Sequence, residues 1–256
     1  ILYWLMAVNM HLNIGHRHIV PTYPVFYILA SASVLWLGKN KPRMLALGLV
    51  AALGLHVYDS IRARPFYLSY FQPLAGGTNG YRHLVDSSYD WGQGLPDLAA
   101  WLKSDQRRSD PAPVHLCYFG VDSPRARGLD VVRFGDDTAD FGLRYYPAPL
   151  NPGWYAISAT NLMQIYFLTR GPWTAIHEKK YTEIRARLAL AKPHSERTSE
   201  EHARVLQDCS DLEILQTSRI CHFLRDRTPV NIVGGSILIF KLTPTELKEA
   251  LYAPVQ

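Results

Sequence analysis

The chain of 256 residues carries 27 Lys and Arg against 22 Asp and Glu, a formal net charge of +5 at pH 7. Its basic residues form only short groups, Lys39–Arg43 and Arg185–Arg187, which excludes the long basic stripe of a nucleic-acid-binding protein. Three cysteines, Cys117, Cys209 and Cys221, exclude the even-numbered disulfide framework of a small secreted domain. A Cys209–Cys221 bridge stays open only if the helix expected around them breaks.

The long apolar runs are concentrated in the N-terminal part of the chain. Two runs without a charged residue, Ile19–Gly38 and Met44–Tyr58, predict two membrane-spanning helices, because a helix needs about 20 apolar residues to cross a bilayer. The second run extends to Ser60 at the interface. The alternative is a pair of buried helices in a soluble core, although two such runs in tandem are unusual there.

The segment between the two runs, Gly38–Arg43, is expected to form a tight loop that is rich in positive charge. Its cations are Lys39, Lys41 and Arg43. Because basic residues accumulate in cytoplasmic loops, this loop is expected on the cytoplasmic side of the membrane. The segment before Ile19 and the chain after about Arg62 then lie together on the extracytoplasmic side.

The chain opens within an apolar run, Ile1–Val8, and no charged region precedes it. This pattern does not fit a signal peptide and indicates the end of a helix in a longer protein. The predicted organisation has three parts. Residues 1–64 hold the end of that helix and two spans at about 19–38 and 44–60, residues 65–95 form a membrane-exit hinge, and residues 96–256 form a soluble α/β domain.

The loop that precedes the first predicted span crowds His16, Arg17 and His18 together at the membrane face. A guanidinium makes bidentate contacts with phosphate, and flanking imidazoles add donors. These three residues therefore predict a site for a lipid phosphate or pyrophosphate. Two alternatives stay open, a metal site in which His11 joins His16 and His18, and an ordinary cationic loop without a ligand.

The C-terminal part of the sequence alternates strand and helix patterns, which predicts a small layered α/β domain. The expected strands are Val114–Gly120, Leu129–Phe134, Gly153–Ala159 and Ser236–Leu242. The expected helices are Gly92–Ser104, Thr160–Thr169, Ser199–Arg225 with a possible central break, and Pro244–Leu251 capped by Thr243. No dinucleotide or P-loop motif occurs, since Gly234–Gly235 precedes a strand and does not follow one.

The hinge stretch Pro65–Leu95 is rich in aromatic residues, as is typical where a chain leaves a bilayer. Within it, Asp86, Asp90, Trp91 and Gln93 are candidate sugar-binding residues, because an aromatic face stacks on a pyranose ring while acids and amides bind hydroxyls. The two acids would share a face if the segment were helical. The alternative is a pair of solvated turn acids.

Two runs, Asn13–Pro24 and Tyr67–Leu102, resemble bacterial integral-membrane glycosyltransferases of the multi-helix C type, the dolichyl-phosphate-mannose protein-mannosyltransferase-like group. Members show a G-x-R-H-x-x-P-x-Y-P loop, and many then show N-x-L-A-G-G and D-S-N-x-D-W-G-Q-D-L. The matching residues here are Gly15, Arg17, His18, Pro21, Tyr23, Pro24, Gly76, Gly77, Asp86, Asp90, Trp91, Gly92, Gln93 and Leu95. The departures are Gln72 for Asn, Ser88 for Asn and Gly94 for Asp.

The resemblance implies a hexosyltransferase that moves a sugar from a polyprenyl-phosphate donor to a lipid or protein acceptor outside the cytoplasm. It implies the C-terminal portion of a multi-pass protein of the bacterial inner membrane, with membrane lipid as a partner. The catalytic carboxylate of such enzymes would lie upstream of Ile1. No cofactor is expected beyond a possible divalent metal in the intact enzyme. The competing interpretation is a membrane-anchored extracytoplasmic binding module without catalysis.

Overall fold

The computed structural model describes residues 2–9, 19–73, 76–86, 89–135, 149–167 and 169–253. The chain divides into two compact units, residues 1–89 and 90–256. The three free thiols are buried, and Cys209 and Cys221 lie on one unbroken helix. The open alternative of a Cys209–Cys221 disulfide is therefore wrong, because an unbroken helix holds those positions about 18 Å apart.

The first unit is built on three helices, α1 (Leu2–Asn9), α2 (Tyr23–Asn40) and α3 (Pro42–Ala63), with a 3-10 turn at Val20–Thr22 before α2. The segments Val20–Asn40 and Pro42–Ala63 are each long and apolar enough to cross a membrane. Neither buries any of its apolar window within the structure, unlike the core helix of a soluble protein. By length and composition the two helices therefore suit a bilayer.

The connection between α2 and α3 is shorter than the sequence predicts, because Lys41 is the one residue outside helix between them. Helix α2 continues to Asn40, whose side-chain amide donates to the carbonyl of Trp36 at 2.8 Å. Pro42 then starts α3, where its missing amide hydrogen costs nothing.

The chain after α3 folds back around a small aromatic cluster. The ring centroid of Tyr89 lies 5.9 Å from that of Phe71 and 6.4 Å from that of Tyr81. A 3-10 segment, Gly77–Arg82, positions Tyr81. Gly80 is required there by packing, since a Cβ atom on it would lie 2.2 Å from the Phe71 ring. Three aromatic residues of the predicted hinge, Phe71, Tyr81 and Tyr89, thus form a local core.

The second unit contains a five-stranded mixed sheet in the order β2-β1-β3-β5-β4. The strands are β1 (Val114–Cys117), β2 (Val132–Arg133), β3 (Gly153–Ser158), β4 (Asn231–Val233) and β5 (Ile237–Leu242). Strand β1 pairs in parallel with both β2 and β3, and β5 is antiparallel to β3 and β4. The small α/β domain expected from the sequence is therefore confirmed.

In the described part of this unit, six α-helices accompany the sheet: α4 (Leu95–Leu102), α5 (Asp105–Arg108), α6 (Ala159–Leu162), α7 (Ala175–Ala189), α8 (Ser199–Arg225) and α9 (Pro244–Tyr252). The apolar face of α4, with Leu95, Leu98 and Trp101, joins a core made with the central strands. Thr243 caps α9 as predicted, and Thr198 caps α8 in the same way.

Several elements differ from the expectations. Helix α4 and strands β1 and β2 are shorter than predicted, and α6 is much shorter than Thr160–Thr169. The sequence patterns predicted neither α7 nor β4, and the open alternative of a break in α8 is not met. Helix α7 buries few residues, Tyr181 and Ile184, so its apolar periodicity is weak. Helix α6 ends early because Gln164 adopts a left-handed φ of +57° that terminates it.

Candidate functional site

The best candidate site of the second unit lies at the carboxyl ends of its parallel strands. Strand β1 has β2 on one side and β3 on the other. The connections that leave β1 and β2 therefore run to opposite sides of β1, which makes the gap between β1 and β3 a topological switch point. In open α/β sheets, ligands bind outside the carboxyl ends of strands at such a switch point. The loops that follow β1 and β3 and the turn that packs against them therefore define the candidate site.

The turn Asp90–Gly94 brings together three of the predicted substrate-binding residues. The amide of Gly92 donates to Oδ1 of Asp90 at 3.0 Å, and the amide of Trp91 donates to Oε1 of Gln93 at 2.7 Å. Asp90 is fully buried, whereas Trp91 is 61% exposed. The carboxylate and the amide thus hold the turn, and the turn presents the indole to solvent.

This turn packs directly on the end of β1. The hydroxyl of Tyr118 donates to the carbonyl of Gly92. A Cβ atom on Gly92 would lie 2.6 Å from the Tyr118 hydroxyl and 2.7 Å from Cα of Gly120. Gly92 also has a φ of +79°, so both its conformation and its close approach require glycine.

Tyr118 remains a neutral donor at this contact. Burial raises the pKa of Tyr118 to about 12, and the negative charges of Asp122 and Asp90 add to the effect. The hydroxyl therefore keeps its proton at physiological pH and can hold the Gly92 carbonyl.

The loop after β3 adds a second aromatic surface. The hydroxyl of Ser158 accepts from the amide of Phe119 at 3.0 Å, which ties the ends of β1 and β3 together. The ring of Phe119 stacks on that of Tyr166, with centroids 5.6 Å apart and planes 5° from parallel. Tyr166 is 55% exposed. The turn Asp90–Gly94 thus carries one exposed aromatic ring, Trp91, and the loop after β3 and α6 carries another, Tyr166.

Gln164 positions the Tyr166 loop and links it to α8. Its amide donates to the carbonyl of Asn161 at 3.0 Å, and the next amide, of Ile165, donates to Thr160 at 3.5 Å. These are the two bonds of a Schellman ending, whose left-handed position is usually glycine. The side-chain oxygen of Gln164 accepts from Nη2 of Arg225 at 2.9 Å, a contact that glycine would lack.

The buried groups of β1 serve packing. Nε2 of His115 accepts from the amide of Asn151 at 3.3 Å, and its ring stacks on Tyr155 with centroids 4.7 Å apart. Sγ of Cys117 accepts from Nδ2 of Asn161 at 3.3 Å. Full burial also raises the pKa of Cys221 to about 12. A buried thiol with a raised pKa is a poor nucleophile, so Cys221, which lies on α8, has a structural role.

His115 is expected to make the second unit less stable in mild acid. Burial lowers its pKa below 6.5, and the bond from Asn151 opposes this only in part. As the pH falls below about 6.5, the unfolded chain binds a proton that the folded chain resists, so stability falls by about 1 kcal/mol per pH unit until the folded pKa is reached. His115→Gln should reduce the drop in thermal midpoint between pH 7.5 and 5.5. The exposed control His194→Gln should leave the drop unchanged, and equal drops in all three proteins would contradict the assignment.

The remaining predicted site residues lie elsewhere. Asp86 belongs to the first unit, where its carbonyl accepts from the amide of Tyr89 at 2.8 Å. Its φ of +58° is not helical, so the condition under which Asp86 and Asp90 would share a helical face is not met. The predicted lipid-phosphate residues His16, Arg17 and His18 lie outside the described residues, as does His11.

Sequence reasoning missed Tyr118, Ser158, Gln164 and Tyr166. Tyr118 follows β1, Ser158 ends β3, and Gln164 and Tyr166 follow α6. These positions carried the available signal, since residues at the carboxyl ends of parallel strands converge at one sheet edge. Within the parts of the chain that the structure describes, no group of three or more His, Cys, Asp or Glu residues could hold a metal ion.

Comparison of the chain with protein-family models, with curated proteins and with solved structures finds no match.

Proposed function

We propose that this chain is the C-terminal part of an integral-membrane glycosyltransferase of the bacterial inner membrane. It moves a sugar from a polyprenyl-phosphate donor to a lipid or protein acceptor on the extracytoplasmic face. The catalytic carboxylate belongs to a segment upstream of Ile1. The observation that carries the proposal is that two exposed apolar helices precede an α/β unit whose Asp90–Gly94 turn presents an exposed indole.

The turn supports a sugar-binding role for Trp91 above all. Asp90 is fully buried and Gln93 accepts from the backbone, so these side chains hold the loop that carries the indole. A pyranose places its C–H groups against an aromatic face and its hydroxyls outward. An exposed indole on a rigid turn suits this contact, because little conformational entropy is lost when the sugar binds.

The reaction leaves a phosphate on the lipid. The acceptor hydroxyl oxygen attacks the anomeric carbon, the bond from that carbon to the phosphate oxygen breaks, and the hydroxyl proton passes to the upstream carboxylate. The leaving polyprenyl phosphate gains negative charge. His16, Arg17 and His18 are the residues that we assign to stabilising it, since a guanidinium binds phosphate in bidentate fashion.

The test uses membranes that contain the native, full-length protein and a panel of labelled polyprenyl-phosphate sugars. Trp91→Ala is expected to lower kcat/KM for the active donor about tenfold, equivalent to about 1.4 kcal/mol of transition-state binding. The matched control is Tyr252→Ala, which removes a half-exposed ring on α9. The control should transfer sugar at the rate of the unmodified protein.

Other outcomes separate the two candidate functions. Sugar binding without transfer by any donor of the panel would favour the anchored binding module. Full transfer by Trp91→Ala would contradict the sugar-binding role of the turn. The transferase assignment would then be supported by the measured activity alone.

A further inference from the structure

At the C-terminal end of α3, the side chain of Arg62 is held in one position by Tyr58. The guanidinium of Arg62 lies over the ring of Tyr58, one turn earlier, with its Cζ atom 5.6 Å from the ring centroid. Its Nη1 atom donates to the Tyr58 hydroxyl at 2.8 Å. Both residues are exposed, so the guanidinium has further donors that face outward.

A carboxylate stands one turn from Arg62 but is engaged elsewhere. Oδ1 of Asp59 accepts from the hydroxyl of Tyr70 at 2.9 Å, and Oδ2 accepts from Nε2 of Gln72 at 3.3 Å. Asp59 and Arg62 have the spacing of a helical ion pair, yet they form none. The returning chain thus holds the carboxylate, which acts on Arg62 through its charge but makes no ion pair with it.

Arg64 adds a second cation at the same helix end. It follows α3 directly, where its amide donates to the carbonyl of Ile61 at 3.3 Å, and its side chain is exposed. Neither Arg62 nor Arg64 has a carboxylate within ion-pair distance among the residues that the structure describes. Two exposed guanidinium groups therefore lie at the end of an apolar helix, and neither is in an ion pair with a residue that the structure describes.

Several residues that flank these cations along the chain are exposed and apolar or aromatic. Ile61 is 70% exposed and Tyr67 is 61% exposed, and Phe66 and Leu68 are exposed as well. Cations among exposed aromatic and aliphatic side chains match the boundary between lipid tails and headgroups, where lipid phosphates lie. The occupant that supplies both a hydrocarbon chain and negative charge is a phosphate-bearing lipid.

We propose that Arg62 and Arg64, with Arg62 held by Tyr58, bind the phosphate monoester of a membrane lipid. A monoester carries up to two negative charges and so matches two guanidinium groups, each of which offers paired donors. A phospholipid diester carries one charge and matches them less well. The inference rests on the membrane insertion of α3 within the proposed function, but it does not depend on sugar transfer.

The test uses the full chain in nanodiscs of zwitterionic phospholipid that are doped with a polyprenyl monophosphate. Binding is measured by native mass spectrometry of the released protein. The double variant Arg62→Gln/Arg64→Gln is expected to bind at least tenfold more weakly than the unmodified chain. Tyr58→Phe, which keeps the ring and loses the hydroxyl, should bind about threefold more weakly.

The matched control removes two positive charges from the opposite end of the same helix. Lys41→Gln/Arg43→Gln should bind the monophosphate within twofold of the unmodified chain. A second arm replaces the monophosphate with phosphatidylglycerol, a diester, which should bind at least tenfold more weakly. Helix content measured by circular dichroism confirms that each variant is folded.

Three results would overturn the proposal: equal losses in the two double variants, equal binding of the monophosphate and phosphatidylglycerol, or no binding by the unmodified chain. The outcome is separable from that of the proposed function. Monophosphate binding without sugar transfer would retain this site and remove the transferase. Sugar transfer by Arg62→Gln/Arg64→Gln without loss of donor affinity would retain the transferase and remove this phosphate site.

Discussion

Replacing Arg219 with Met is expected to lower the free energy of unfolding of the second unit by about 2–4 kcal/mol, because it removes a buried guanidinium and leaves two backbone carbonyls without their donor. Arg219 is 2% exposed and lies on α8. It pairs with Glu178 of α7, and its Nε donates to the carbonyl of Ala250 at 3.1 Å. Another guanidinium nitrogen donates to the carbonyl of Ala253.

The same guanidinium lies between two rings, with its Cζ atom 5.4 Å from the centroid of Trp173 and 5.2 Å from that of Tyr181. Arg219 thus joins α7, α8 and the end of α9. Met restores much of the volume but none of the donors, so the carbonyls at the end of α9 lose their partner. The unpaired carboxylate of Glu178 keeps a bond from Nε1 of Trp173 at 2.8 Å.

The measurement is the thermal unfolding of the full chain in detergent, followed by tryptophan fluorescence. The midpoint should fall by about 10 °C, since 1 kcal/mol corresponds to about 2–4 °C at this size. Arg185→Met is the control, because Arg185 is exposed and contacts the Tyr252 ring from 4.4 Å. It should cost about 0.5–1 kcal/mol. A loss below 1 kcal/mol for Arg219→Met would contradict the role assigned to the buried guanidinium.

The double variant Arg219→Met/Glu178→Met locates the source of the cost. If the loss comes from the carboxylate that is left unpaired, the double variant should regain part of the stability, as apolar replacements of whole ion pairs often do. If it comes from the carbonyls of α9, the double variant should be as unstable as the single one.

Gly92→Ala is expected to destabilise the second unit by about 2–4 kcal/mol through overpacking and backbone strain. The added methyl group meets Cα of Gly120 at 2.7 Å and the carbonyl oxygen of Phe119 at 2.7 Å. Backbone atoms cannot swing aside as a flexible side chain does. The turn must therefore withdraw from the end of β1, which breaks the bond from Tyr118 and displaces Trp91.

Gly128→Ala separates the two causes. Gly128 has a φ of +67°, comparable with the +79° of Gly92, but a Cβ atom on it meets nothing within 4 Å. It should cost about 1 kcal/mol, the strain of a left-handed alanine alone. The comparison is made by thermal unfolding, and acrylamide quenching of the exposed tryptophans, which include Trp91, reports on the turn. Equal losses of unfolding free energy in the two variants would show that the close contact between the turn and β1 contributes nothing to stability.

The sequence by itself determined the elements that depend on local pattern. The charge-free runs predicted α2 and α3, because the hydrophobic effect alone sets the length of helix that suits a bilayer. The alternation of apolar residues predicted β1, β3 and β5, and the Thr243 cap predicted the start of α9. It also placed Asp90, Trp91 and Gln93 together, since they are neighbours in one turn.

Only the tertiary structure showed which polar side chains hold the turns and loops of the second unit together. Asp90 and Gln93 were expected to bind hydroxyls, and the structure adds that each side chain accepts a backbone amide of its own turn. Tyr118, Gln164 and Arg219 gain their partners from residues 26, 61 and 41 positions away. From sequence alone, a polar residue is expected at the surface, because burying a charge is unfavourable unless distant groups pair with it. A glutamine is likewise not expected in a left-handed conformation unless distant groups hold it there. Those partners meet only when the chain has folded.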